Sequence, residues 1–189
     1  MDLLIFFLYV FAYIFLGFSL KLIDQINDEN YEINNKIKII ILISAPILGG
    51  IVMGTDLFNA SIGLMLILGL FFAKKVNVTD FKIFGTLAII AMFVMSIFNN
   101  FYVFLNFINI IPTTIILLIA IIADELLNEY LDSKKFERPI FKNLMSIRPI
   151  LKVMVFILPI FNLFTYYHAI MLLCFDIAYD LTKYFTEKK

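Results

Sequence analysis

The chain has 189 residues, 62% of them hydrophobic, and its 15 lysines and arginines balance its 15 acidic residues. Soluble domains are about 45–50% apolar, so this composition and a mean hydropathy of +0.98 argue against an ordinary soluble domain. Zero net charge gives no reason to expect a nucleic-acid partner. Cys174 is the only cysteine and His168 the only histidine, which excludes an intramolecular disulfide and a histidine- or cysteine-cluster metal site.

The apolar residues are concentrated in runs of about 20, the length that an α-helix needs to cross a bilayer. No linker rich in Pro, Gly or Ser divides the chain, so one domain over residues 1–189 is predicted. The first run starts at Leu3 with no basic segment before it and no small-residue cleavage site after it, which favours a retained helix over a signal peptide. In chain order, the predicted spans are 3–20, 37–54, 57–73, 81–98, 101–123, 150–161 and 164–182.

The last apolar region, Pro149–Tyr179, has a length between one span and two. Basic residues flank the first, third and fifth connections and the tail, whereas none flanks the other connections. This distribution indicates orientation, because cytoplasmic loops carry the excess of Lys and Arg. Seven spans put all 15 cations on one side, whereas six would leave the tail lysines on the other. The predicted fold is therefore an all-α polytopic integral membrane bundle of seven transmembrane helices in the cell membrane. Its N-terminus is outside and its C-terminus cytoplasmic, and six spans remain the alternative if the last region crosses once.

Acidic residues recur at spacings of three and four where outward-to-inward helices end, so each set lies on one helical face. One interpretation is a shared crevice at the cytoplasmic membrane surface that holds Mg²⁺, which prefers carboxylate and phosphate oxygens. Basic side chains, Arg bidentately, would hold a phosphate there. The alternative is a set of solvated stripes on helices that rest on the membrane interface. The candidate metal ligands are Asp24, Asp28, Asp124, Asp176 and Asp180, and the candidate phosphate-binding residues are Lys74, Lys75, Arg138 and Arg148.

Three polar residues interrupt the fifth span, namely Asn106, Asn109 and Thr113, with Pro112 beside them. Polar groups within hydrocarbon usually face the interior of a bundle, so one interpretation is a permeation path or a small-ligand pocket. The other is hydrogen bonding between helices.

Small residues mark a second feature, because Gly50 and Gly54 have the spacing that lets membrane helices approach closely. They belong to a cluster that is predicted to let the second and third helices pack closely; its other members are Ser44, Ala45, Gly49, Ala60, Ser61 and Gly63. His168 lies near the predicted outer surface with no acidic residue near it in sequence, and we expect an interfacial residue there. Cys174 is expected to be a small packing residue.

Three functional hypotheses follow. The first is a Mg²⁺-dependent enzyme acting on a phosphorylated or diphosphate lipid at the cytoplasmic face; it explains the most features, although no catalytic residue stands out. The second is a small-molecule transporter or substrate-binding membrane subunit, marked by an interior pocket at Asn106, Asn109 and Thr113. The third is a structural or assembly subunit whose basic segment Lys134–Lys152 attracts anionic lipid. Convergence of the acidic stripes separates the first from the others.

Overall fold

The computed structural model describes residues 3–29, 31–72, 78–133 and 149–187, and within these ranges it contains helices and short connections but no strand. The all-helical prediction is thus confirmed for this part of the chain. The helices are α1 (Leu3–Asp28), α2 (Asn35–Met53), α3 (Leu57–Phe72), α4 (Thr79–Phe98), α5 (Tyr102–Leu105), α6 (Phe107–Ser133), α7 (Pro149–Ile157), a 3-10 helix (Leu158–Phe161) and α8 (Tyr166–Glu187).

Four helical segments are long and apolar enough to cross a membrane, namely α1, α2, α4 and the Phe107–Asp124 part of α6. Two more are apolar but shorter, α3 and Pro149–Phe161. The last apolar region forms two helices, because the chain turns between Phe161 and Tyr166 with Asn162 in the left-handed conformation (φ 56°). Each predicted span overlaps at least one helix, and α1 continues for two turns beyond the predicted end of its span. The fifth predicted span, 101–123, is divided between α5 and α6, with Asn106 between them.

Large apolar side chains cover much of the surface, as a hydrocarbon environment permits and water disfavours. Leu4, Ile90 and Ile119 are 73%, 53% and 60% exposed. The interior core contains fully buried residues such as Ile23 and Leu172. The chain thus has an apolar exterior as well as an apolar core.

The most extensive helix pairs are α1 with α8, α2 with α4 and α3 with α6, none of them consecutive in sequence. Glycines permit two of these approaches. A Cβ atom on Gly17 in α1 would overlap the carbonyl oxygen of Phe175 in α8, and one on Gly50 in α2 would overlap that of Ala88 in α4.

The partner predicted for Gly50 and Gly54 was therefore wrong. Gly54 approaches the side chain of Met95, so both glycines of this motif pack against α4 rather than α3. The spacing of small residues predicts a close approach but does not identify the facing helix. Between α2 and α3 the close contact is made instead by Gly63, against the side chain of Met53.

Candidate functional site

One end of the bundle collects charged side chains from α1, α2, α4, α6, α7 and α8; we call it the charged end. It includes the last turns of α1, where Lys21 and Asp24 are only 7% and 6% exposed. Their spacing of three residues puts both on one helical face, and Lys21 Nζ lies 2.8 Å from Asp24 Oδ2. Tyr179 of α8 covers this pair, with its hydroxyl 3.5 Å from Asp24 Oδ2 and its ring centroid 5.4 Å from the Lys21 ammonium. Asp24 therefore lies in the interface between α1 and α8.

The acidic stripe of α8 points inward and meets a lysine of α7. Lys152 Nζ lies 2.8 Å from Asp176 Oδ2 and 3.8 Å from Asp180 Oδ2. Asp176 is 2% exposed. Two carboxylates four residues apart on a helix repel each other, so the ammonium group between them offsets that repulsion.

Asp124 of α6 contacts the N-terminus of α7, the next helix of the chain. It is 1% exposed, and its carboxylate accepts hydrogen bonds from the backbone N–H groups of Ile150 (3.0 Å) and Leu151 (2.8 Å). These are the second and third residues of α7, and the N–H groups at these positions normally donate to the side chain of an N-cap residue. Pro149 before them has no N–H to satisfy. Asp124 therefore acts as a capping residue supplied by a different helix.

Replacing Asp124 with Ala should lower the free energy of unfolding by about 2 kcal/mol, because two buried N–H groups lose their acceptor. Asp124→Asn keeps one acceptor oxygen and should lose roughly half as much. Thermal unfolding in detergent, followed by far-UV circular dichroism, measures both. Equal stability of Asp124→Ala and the unmodified protein would contradict the capping role.

A further carboxylate at this end, that of Asp80, was not singled out by the sequence. It lies in the first turn of α4, where a negative charge is favourable. Asn27 of α1 donates to its Oδ2 at 3.0 Å, and Lys38 of α2 lies 2.7 Å from the same oxygen. Since Asn27 follows Asp24 by one helical turn, Asp80 borders the same part of α1 as Asp24.

The acids predicted to form a metal site thus share one end of the bundle. Asp24 of α1 contacts Tyr179 of α8, and Asp176 of α8 pairs with Lys152 of α7. Asp124 of α6 in turn caps α7. Asp28 is exposed to the surroundings. Within residues 3–29, 31–72, 78–133 and 149–187, no three His, Cys, Asp or Glu side chains are grouped closely enough to hold a metal ion. The predicted phosphate-binding residues Lys74, Lys75, Arg138 and Arg148 lie outside the described residues.

Comparison with protein families, curated proteins and solved structures finds no match to this chain.

The polar residues of the fifth predicted span have separate surroundings. Asn106 donates to the Tyr102 carbonyl one turn earlier (2.9 Å), and Asn109 is exposed. Thr113 is buried and donates to the Leu163 carbonyl at 2.9 Å. Thr113 therefore forms a hydrogen bond to another part of the chain, whereas the hydrogen bond of Asn106 stays within its own segment.

The opposite end of the bundle holds a polar network that the sequence analysis missed. Nε2 of His168 lies 3.3 Å from the carboxylate of Asp56, which is 112 positions away in sequence. Asp56 also accepts from Asn59 Nδ2 at 2.6 Å, and Asn59 Oδ1 accepts from the Tyr13 hydroxyl at 2.9 Å. His168 thus has a carboxylate partner, contrary to the expectation from sequence. The network joins the first turns of α3 and α8 to α1.

Gln25 is a further buried polar residue that the sequence analysis did not single out. It is 1% exposed, and neither polar atom of its side-chain amide has a hydrogen-bond partner among the residues that the structure describes. Its neighbours at the charged end include Asp24.

Proposed function

We propose that this chain is a seven-span protein of the cell membrane, with its N-terminus outside and its charged end in the cytoplasm. The positive-inside bias of the sequence supports this orientation. The separate helices α7 and α8 support two crossings in the last apolar region. A green fluorescent protein fused after Lys189 should fluoresce, and alkaline phosphatase fused there should be inactive; active phosphatase would contradict the topology.

We further propose that the protein is a Mg²⁺-dependent enzyme acting on a phosphorylated or diphosphate lipid at the cytoplasmic face. The observation that supports this function is the burial of the first acid of each stripe: Asp24, Asp124 and Asp176 are all buried at the charged end. An acid that served only to solvate a helix end would be exposed. Charged side chains held inside a membrane protein are costly and commonly functional.

Magnesium is proposed to enter with the lipid. Mg²⁺ is usually bound by one or two carboxylates together with substrate phosphate oxygens and water, rather than by an all-protein cage. The more accessible acids, Asp28 and Asp180, are suited to that role. Lys21 and Lys152, each beside a carboxylate, would hold the head group as its phosphate approaches the acids.

The test uses purified protein in phosphatidylcholine vesicles that contain a polyprenyl diphosphate or a CDP-diacylglycerol. We expect Mg²⁺-dependent release of phosphate or CMP, abolished by EDTA and reduced about 100-fold in Asp180→Asn. Glu29→Gln is the matched control, because Glu29 is an exposed acid at the same end. No release from either lipid, or equal rates for Asp180→Asn and the unmodified enzyme, would contradict the proposal.

A second candidate function is metal-independent hydrolysis by the carboxylates of Asp24 and Asp80. The observation that favours it is Asn27, which contacts Asp80 and lies one turn from Asp24. Two aspartates that share one proton hydrolyse peptide bonds without a metal in aspartic proteases. Hydrolysis of a membrane-inserted peptide that survives EDTA but is lost in both Asp24→Asn and Asp80→Asn would support this candidate over the lipid enzyme. Loss of that hydrolysis with EDTA would contradict it.

A further inference from the structure

Three side chains at the end of the bundle opposite the charged end form a chain of hydrogen bonds. The Thr165 hydroxyl lies 2.5 Å from Nδ1 of His168, and Nε2 of the same ring lies 3.3 Å from each oxygen of the Asp56 carboxylate. Thr165 directly precedes α8, His168 is in the first turn of α8, and Asp56 directly precedes α3. A hydroxyl, an imidazole and a carboxylate in this order are the parts of a nucleophilic triad.

The carboxylate determines which ring nitrogen carries the proton. An ionised carboxylate only accepts hydrogen bonds, so Nε2 of His168 has to be the donor to Asp56. In the neutral ring Nδ1 then has a lone pair, and the group that faces this lone pair is the Thr165 hydroxyl. The imidazole is therefore in the position of a general base for the hydroxyl proton.

The carboxylate and the ring are both held in place by their neighbours. Asp56 Oδ1 accepts from the backbone N–H groups of Phe58 and Asn59, each at 2.9 Å, and Oδ2 accepts from the Asn59 side chain at 2.6 Å. The ring centroids of Phe58 and Phe164 lie 5.2 and 5.8 Å from that of His168. A base that is oriented by a third group is the arrangement that activates a weak hydroxyl nucleophile.

Helix capping is the ordinary role of a threonine at this position. The Thr165 oxygen does lie 3.4 Å from the His168 backbone nitrogen, which is a donor that an N-cap side chain accepts from. Its contact with the imidazole is much shorter, at 2.5 Å. Capping needs only an acceptor, so it leaves the hydroxyl proton for Nδ1. Capping therefore explains the threonine, but it does not explain the aligned histidine and carboxylate.

We infer that Thr165 is a nucleophile activated by His168, and that this site hydrolyses carboxylic esters. The Thr165 oxygen forms a bond to the ester carbonyl carbon while its proton passes to Nδ1 of His168. The bond from that carbon to the alcohol oxygen then breaks, and Nδ1 returns the proton to the departing alcohol. Water attacks the acyl-threonine in the same way, which releases the carboxylic acid and restores the hydroxyl.

The start of α8 gives a substrate access to the nucleophile. Thr165 is partly exposed, and Tyr166 and Tyr167 beside it are 60% and 50% exposed. The N–H groups of these two tyrosines have no carbonyl partner within the helix, so they can donate to the ester oxygen as negative charge develops on it. In the proposed topology this end is outside the cell. The inference does not depend on the lipid enzyme at the charged end.

The first experiment treats full-length protein in detergent with a fluorophosphonate, which phosphonylates activated hydroxyl groups, and locates the adduct by mass spectrometry. We expect the adduct at Thr165. Thr55 is the matched hydroxyl at the same end and should carry no adduct, because it donates to the Val52 carbonyl rather than to a base. No adduct, or an adduct only at another residue, would overturn the inference.

Hydrolysis of p-nitrophenyl butyrate separates catalysis from capping. Thr165→Ser retains the cap and the hydroxyl, whereas Thr165→Asn retains only the cap. We expect Thr165→Ser to remain active, and both Thr165→Asn and His168→Gln to lower kcat about 100-fold or more. Equal hydrolysis by Thr165→Asn and the unmodified protein would overturn the inference, and the adduct map of the unmodified protein decides the matter if a variant does not fold.

Asp56 is a positioning residue, because it acts through His168. Asp56→Asn retains an oxygen for the N–H groups of α3, but its amide can also donate to the ring and so favour the wrong tautomer. Labelling of Thr165 by the fluorophosphonate should still reach completion, at least about tenfold more slowly. An unchanged rate of labelling would overturn this role of Asp56.

Discussion

Lys152→Met is expected to destabilise the protein by about 3 kcal/mol, the lower end of the usual loss for a buried ion pair, because the Lys152 side chain is 23% exposed. The Lys152 ammonium lies 2.8 Å from the carboxylate of Asp176, which is 2% exposed, and 3.8 Å from that of Asp180. Without this ammonium group, the carboxylates of Asp176 and Asp180, one turn apart on α8, lose the cation between them. The Asp176 carboxylate is also shielded from water. The free energy of unfolding, measured by titration with sodium dodecyl sulfate in mixed micelles, gives the loss.

The double variant Lys152→Met/Asp176→Asn separates the ion pair from ordinary packing. Because it removes both charges, it should recover much of the stability that Lys152→Met loses, as replaced buried pairs often do. Lys82→Met is the matched control, since Lys82 is an exposed lysine of α4 at the same end, and its effect should be within about 0.5 kcal/mol. If the double variant were no more stable than Lys152→Met, the ion pair would not be the cause.

The helices were predictable because their signals are local. A run of apolar residues about 20 long specifies a spanning helix without reference to the rest of the chain. The same holds for the acidic stripes: a spacing of three or four residues fixes a common face, and Asp24 and Asp176 do point inward from helices. The turn at Asn162 divides the last apolar region into two helical segments, Pro149–Phe161 and α8.

The partners across helices were not predictable, because periodicity defines a face but not what it meets. Gly50 and Gly54 pack on α4 rather than on α3, and His168 meets Asp56 from 112 positions away. The counterion of Asp176 is the Lys152 ammonium, where the sequence suggested a metal ion or a solvated face. These contacts depend on the order in which helices surround one another, and a single sequence carries no local mark of that order.

Asp80 was missed for a different reason. The search for acids considered only the ends of helices that run from outside to inside, whereas Asp80 lies at the start of α4, which runs the other way. Both kinds of helix terminus meet at the same end of an antiparallel bundle. An acid in the first turn of an apolar helix was therefore an available signal, and it leads to the contact with Asn27 and Lys38.

Gly50→Ala should be the most damaging substitution of a small residue, with a loss of about 3 kcal/mol or more. The added Cβ would overlap the Ala88 carbonyl oxygen and lie 2.8 Å from the Met92 backbone nitrogen. Backbone atoms cannot move aside as a flexible side chain can, so α2 and α4 would have to separate. Gly17→Ala should act in the same way between α1 and α8, where the obstacle is the Phe175 carbonyl oxygen.

Gly85→Ala provides the matched control, because its Cβ would meet no heavy atom within 4 Å. There the better helix propensity of Ala should raise stability by up to about 1 kcal/mol. Equal melting temperatures for Gly50→Ala and Gly85→Ala would contradict the close approach of α2 and α4. Gly17→Ala also reports on the site, since Tyr179 of α8 reaches Asp24 of α1 only while those helices remain in contact. Its loss of stability should therefore be accompanied by loss of the lipid hydrolysis that we propose for the charged end.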